Sequence, residues 1–172
     1  MAYEQHVRSA QEIVARCGVV TLSDTRTPAT DASGQLVRKL LEEAGHRVAH
    51  YALVKDDPAE LAPLLDRLLA DDEVDAVLTN GGTGIARRDQ TIAVVERKID
   101  QPLPGFGELF RMLSWEQVGP GAMLSRASGG IASAAGRRKP LFAMPGSTKA
   151  VELAMSRLIL PELRHILWQL LK

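Results

Sequence analysis

The feature that most constrains this chain is an alternation. Short β-rich apolar runs are separated by stretches of helical period, and several of the runs empty directly into polar or glycine-rich segments. Residues 17–22 ("CGVVTL") form the first run, and the polar stretch "SDTRTPATDASG" follows it. A helix fits residues 33–44, where Leu36, Val37, Leu40 and Leu41 share a face, with Asp31 or Ser33 as cap and Gly45 at the end. Residues 46–54 alternate as a strand, and "KDDP" leads into a helix over 58–70 with Asp57 at N-cap and Pro58 at N1. Residues 73–79 are the third strand, followed by "NGGTGIARRD", a helix over 91–97 started by Asp89 or Thr91, and another over 104–115. "AMLSRASGGIAS" fits strand and helix equally. "KPLFAMP" is a strand, "GSTK" a second glycine turn, and 151–171 a helical region that Pro161 divides.

Strands alternating with helices imply βαβ units, hence an α/β fold with a mostly parallel sheet covered on both faces. Such folds bind ligands outside the carboxyl ends of the strands. "SDTRT", "KDDP", "NGGTG" and "PGSTK" each follow an expected strand, so they should gather along one edge. With 172 residues and neither repeat nor linker, the chain reads as one domain over 1–172, with 1–15 as an N-terminal extension.

Composition removes several function classes. The formal net charge is zero and aromatics are only 4%, which disfavours a nucleic-acid or anionic-membrane partner. No apolar run spans a bilayer and no secretory leader is visible, so a cytoplasmic location is expected. Cys17, the single cysteine, reads as a buried hydrophobe. His46 and His50 read as surface imidazoles without a third metal ligand, and "GRRKP" as a solvated loop.

The three glycines of "GGTG" are either a tight turn or the floor of an anion site, since glycine lets a ligand approach the backbone. The Walker A order and the dinucleotide fingerprint are both absent. Thr83 can add a hydroxyl, and Arg87 with Arg88 a charge suited to phosphate. Asp56 and Asp89 fall at the same edge, and carboxylates at an anion site imply a bridging cation such as Mg²⁺. Asp57 is accounted for by helix capping, which leaves Asp56 without a structural task.

The segments "LTNGGTGIARRDQTIAVV", "LPGFGELFRMLSWEQVG", "AMLSRASGGIA" and "LFAMPGSTKAVELAM", in this order, resemble the MoaB/MogA family of molybdenum cofactor biosynthesis proteins, and its MoaB branch more closely. The resemblance implies a three-layer α/β/α sandwich that binds molybdopterin. It also implies Mg²⁺-dependent transfer of AMP from ATP to the pterin's terminal phosphate, giving adenylyl-molybdopterin and pyrophosphate; the alternative is a non-catalytic molybdopterin carrier of the same pathway. Homotrimers or homohexamers, and hand-over to other proteins of the pathway, are implied as well. Carried onto this chain, the resemblance makes Asp56 and Asp89 the catalytic and metal-holding acids. Ser23, Asp24, Gly81, Gly82, Thr83, Gly84, Arg88, Ser125, Pro145, Gly146 and Ser147 become the substrate-binding set.

Overall fold

A computed structural model describes residues 10–86 and 89–172. The elements run β1 (Arg16–Leu22), α1 (Ala32–Glu43), β2 (Arg47–Val54), α2 (Pro58–Ala70), β3 (Ala76–Asn80), α3 (Thr91–Lys98), β4 (Gln101–Pro102) and α4 (Pro104–Val118). A 3₁₀ turn (Gly119–Leu124), β5 (Ser128–Ala134), β6 (Arg137–Met144), α5 (Thr148–Ala154), a π turn (Met155–Ile159) and α6 (Leu160–Leu170) complete the order.

The strands form one sheet in the order β2-β1-β3-β6-β5-β4. β2, β1, β3 and β6 are parallel, whereas β5 runs antiparallel to β6 and β4 antiparallel to β5. Alternation along the strands divides the core into two. Val19, Leu78, Phe142 and Met144 face one side, packing with α1, α4, α5 and α6 through Val37, Leu41, Phe106, Phe110, Val151 and Leu163. Val20, Val77, Leu141 and Ala143 face the other, under Leu61, Leu65 and Leu68 of α2 and Ile92 and Val95 of α3. This is the expected α/β/α sandwich. Cys17 is fully buried, and burial pushes its thiol pKa up to about 12, so it behaves as a core residue.

Most start and stop signals act as read. The Asp31 carboxylate accepts from the Gly34 N–H and Asp57 from Ala59, while Gly45 takes φ +79° after α1. Several expectations need correction. His46 is not a surface residue: it is 4% exposed, and its Nδ1 accepts from the Ala15 N–H at 3.1 Å just before β2 begins. "GRRKP" is not a loop, because β6 starts at Arg137. Lys139 is buried there, its ammonium donating to the Leu68 and Asp71 carbonyls and so closing the C-terminal end of α2. β3 starts later than expected, since Glu73 and Asp75 turn aside to pair with Arg16 at 2.9 and 2.8 Å. Neither Asp89 nor Thr91 caps α3; the cap position is Gln90, without a side-chain capping bond.

Pro161 marks the start of the final helix, α6, as expected, but the helical region is not broken there. The preceding turn is π, with the Leu160 N–H donating to Met155 five residues back, and α6 continues directly with Pro161 in its first turn. The wider turn absorbs the missing proline donor.

Candidate functional site

The parallel strands deliver their C-terminal ends to one edge. β5, running the opposite way, brings its start to the same edge, and with it Ser125 and Arg126. The chain after β1 turns at Ser23, whose Oγ accepts from the Thr25 and Arg26 N–H groups. The Asp24 carboxylate accepts from the Asp56 N–H at 3.3 Å, joining the β1 and β2 exits.

The glycine segment after β3 has two distinct functions in the fold. Gly81, at φ +103°, donates its N–H to Met144 O at 3.0 Å and so continues the β3–β6 ladder. A Cβ on Gly81 would lie 2.3 Å from Leu22 O. Gly82, at φ +62°, lies under side chains instead: a Cβ there would meet Thr91 Oγ1 at 2.0 Å and Asp56 Oδ2 at 2.5 Å. Over Gly84 sits Asp89, whose Oδ2 would be 2.5 Å from an added Cβ and accepts from the Ala86 N–H at 2.9 Å. The two acids singled out in the sequence therefore rest on adjacent glycine backbone. Thr83 is buried; its carbonyl accepts from the Arg126 N–H, and the Arg126 guanidinium donates to the Asp89 carbonyl. Arg88 lies outside the described residues.

Asp56 accepts a 2.8 Å hydrogen bond from the Thr91 hydroxyl. Its pKa is raised, first by burial and then by the charges of Asp89 and Asp24, with the Thr91 bond working against the rise. Asp89 and Asp24 thus both bring negative charge to Asp56. The oxygen-only donor set suits Mg²⁺, which binds through one or two carboxylates together with substrate phosphates. Among the described residues no group of three or more His, Cys, Asp or Glu could hold a metal by itself.

The raised pKa of Asp56 has a measurable consequence. A folded state that binds this proton more tightly than the unfolded chain loses stability as pH rises from the ordinary carboxylate value of ~3.9 through the folded one. Above that window the ionised Asp56 destabilises the fold. Asp56→Asn, which keeps an acceptor for Thr91, is therefore expected to raise the thermal midpoint at pH 7 in metal-free buffer, with the gain shrinking toward pH 4. A midpoint equal to or below wild type at pH 7 would contradict the crowding of charge described above.

Gly146 and Ser147 form the turn after β6. A Cβ on Gly146 would lie 3.1 Å from Gly81 Cα, so the two glycine turns touch. The Ser147 Oγ accepts from the Ala150 N–H at 3.2 Å and caps α5. Pro145, Ser147 and Ser125 line one cavity of about 400 Å³, together with Phe110, Ser114 and Ala122. A larger cavity of about 680 Å³ opens between Arg16, Asp75, Arg137 and Leu167. Its lining comes from the strand starts rather than the strand ends, and its Arg16 and Arg137 are committed to Asp75 and Asp72.

Sequence reading missed a buried polar network behind the site. Asp31 is fully buried. Burial alone would raise its pKa, but bonds from Thr21, Gly34, Tyr51 and Ser33 outweigh that and hold it below the usual carboxylate range. Ser33 Oγ lies 2.8 Å from Asn80 Oδ1 and 3.2 Å from Asp31 Oδ1, sharing its one proton between them, and Asn80 Nδ2 donates to Thr21 Oγ1 at 2.9 Å. Arg26 attaches to this network and reaches Gly146 O at 3.0 Å. The available signal was polar residues at the exits of apolar strands, Thr21 and Asn80, where core residues are otherwise expected.

Comparison with known proteins places this geometry among relatives. A family profile described as a probable molybdopterin binding domain matches residues 18–165. The molybdenum cofactor biosynthesis protein B of Bacillus cereus is 52% identical over 171 residues, covering 99% of this chain and 98% of the relative. A crystal structure of a molybdenum cofactor biosynthesis protein B superposes with TM-score 0.86 at 53% identity, over 92% of this chain and 96% of that one. A tungsten cofactor synthesizing protein, MoaB from Pyrococcus furiosus, superposes with TM-score 0.82 at 35% identity, over 92% and 98%.

Proposed function

The chain belongs to the MoaB/MogA family of molybdenum cofactor biosynthesis proteins, on its MoaB side, and we propose that it is a Mg²⁺-dependent molybdopterin adenylyltransferase. The observation that carries this reading is the stacking of Asp56 and Asp89 on glycine backbone, with the pKa of Asp56 raised by burial and by neighbouring acids. Carboxylates held in mutual repulsion favour a cation, and a cation held by few protein oxygens favours phosphates as its remaining ligands.

In the proposed reaction the terminal phosphate oxygen of molybdopterin attacks the α-phosphorus of ATP. A new P–O–P linkage forms, the α–β linkage breaks, and pyrophosphate leaves with the electron pair. A bound Mg²⁺ would neutralise charge at the transferring phosphate. The residues of this chain supply positioning. Asp56 and Asp89 would hold the ion, and Thr91 orients Asp56. Gly82, Thr83 and Gly84 present a surface without bulky side chains on which phosphates can lie. Ser23 and Asp24 border it from the β1 exit, and Ser125, Pro145, Gly146 and Ser147 would receive the pterin on the opposite side. Arg88 would contribute charge.

Assembly is part of the proposal. Leu109, Met112, Trp115 and Val118 recur every three residues on α4 and are exposed, as are Met123 and Leu124 beyond it. Exposed apolar side chains concentrated on one helix and the turn after it mark a surface covered by another protein, and a homotrimer or homohexamer would cover it. Among the described residues no helix is long and apolar enough to cross a membrane; a cytoplasmic location and hand-over of product within the pathway complete the reading.

The deciding assay mixes purified protein with molybdopterin, ATP and Mg²⁺ and measures pyrophosphate. Release above a protein-free control, abolished by EDTA, is expected. Tight molybdopterin binding without pyrophosphate would instead make the protein a carrier.

A further inference from the structure

Arg26 lies in the loop after β1, and its side chain is tied to three groups at this edge. Its Nη1 donates to Ser33 Oγ at 2.5 Å and to Asp31 Oδ1 at 3.4 Å, and its Nη2 to Gly146 O at 3.0 Å. Asp31 and Ser33 are themselves fully buried and fixed by Thr21, Tyr51 and Asn80. The guanidinium therefore spans from the β1 exit, across the end of β3, to the turn after β6. Its side chain remains about one-third exposed.

A guanidinium carries five N–H donors in a planar fork. The contacts above occupy Nη1 and one hydrogen of Nη2. The Nε–H and the second Nη2 hydrogen take no acceptor among the described residues. Two donors on one rigid, pre-oriented guanidinium match two oxygens of a phosphate better than a flexible ammonium does. Asp24, Asp56 and Asp89 bring negative charge to this edge, so an anionic substrate needs positive charge there. Arg26 provides it beside the Gly146 turn, next to Pro145 and Ser147, which line the roughly 400 Å³ cavity.

We propose that Arg26 binds the terminal phosphate of the pterin substrate, with Asp31 and Ser33 as the residues that position it. This rests on the molybdopterin reading above and names the group that recognises the substrate's phosphoryl end. It separates the two substrates: Arg26 would hold the attacking phosphate, leaving the ATP phosphates to the glycine segment and the ion.

The test compares wild type, Arg26→Ala and Arg26→Lys by titration with molybdopterin, phosphatase-treated molybdopterin, ATP and inorganic pyrophosphate. Arg26→Ala is expected to weaken molybdopterin binding about 30-fold or more, and Arg26→Lys about tenfold because charge survives without the fork. Affinity for the dephosphorylated pterin and for ATP should change less than about threefold in either variant, within the scatter of a lost loop contact. Equal loss for phosphorylated and dephosphorylated pterin would overturn the proposal, leaving Arg26 as a tie between loops. Loss confined to ATP would overturn it in favour of nucleotide recognition. Should wild type bind no molybdopterin, the functional reading fails, and pyrophosphate then decides Arg26 separately: a drop of about tenfold in Arg26→Ala sustains an anion-binding role, and equal affinity removes it.

Discussion

Asp89→Asn is expected to cut pyrophosphate release about 100-fold or more while leaving molybdopterin affinity within about threefold, because it removes charge at the ion without removing shape. The substitution keeps a carbonyl oxygen to accept from the Ala86 N–H, so the local turn should survive. The start of α3 should also survive, since Gln90 holds the cap position. The Arg126 contact is made to the Asp89 carbonyl and is indifferent to the side chain. What changes is the negative charge facing Asp56. Steady-state pyrophosphate release and direct pterin titration on the same preparation test this. Activity within threefold of wild type would confine Asp89 to closing the turn with Ala86.

Gly82→Ala is expected to leave the chain folded with ligand affinity at least tenfold weaker, or about 1.4 kcal/mol. Two effects coincide at this position. A left-handed backbone costs an alanine about 1–2 kcal/mol, and Gly82 has φ +62°. The new Cβ would also overlap Thr91 Oγ1 and Asp56 Oδ2, which are side-chain atoms that can retreat. Their retreat preserves the fold but breaks the hydrogen bond that orients Asp56. Neighbouring Gly81 provides the contrast, because its added Cβ would strike the backbone oxygen of Leu22, which cannot retreat. Gly81→Ala should therefore lose stability first. Denaturant midpoint and ligand titration, measured together on each variant, separate the two. Unchanged ligand affinity in Gly82→Ala would reduce the glycine segment to a turn.

The expected reason for sensitivity at Gly82 was an approaching phosphate; the structure adds a protein carboxylate that already occupies the space. That difference shows what was legible in the sequence. Parallel strands force their exits to one edge whatever the side chains, so the gathering of "SDTRT", "KDDP", "NGGTG" and the "PGSTK" turn followed from the strand–helix alternation alone. Asp56 stood out because Asp57 and Pro58 already explain the helix start. Contacts between distant segments leave no such trace. Arg26 and Gly146 are 120 residues apart, and neither local pattern names the other. "AMLSRASGGIAS" stayed ambiguous because its strand is packed too closely for an apolar period. A Cβ on Gly129 would meet Phe142 at 2.4 Å, and one on Gly130 would meet Ile99 at 2.4 Å. His46 was misplaced for a related reason: its burial depends on the chain before β1, not on the strand it precedes.

The π turn at Met155–Ile159 carries a consequence for how this chain can change length. Each residue of a helix advances the face by about 100°, and the extra residue in the turn sets the angular offset between α5 and α6. Val151 and Leu153 pack in the same core as Leu163 and Leu167. Ser156 is exposed, so its identity is free, but its presence is not. Removing it would restore a regular helix with Leu163 and Leu167 still on the core side, but Pro161 would then stand inside an unbroken helix, where its ring meets the carbonyl four residues back. At this point in the chain, a position open to substitution is closed to deletion.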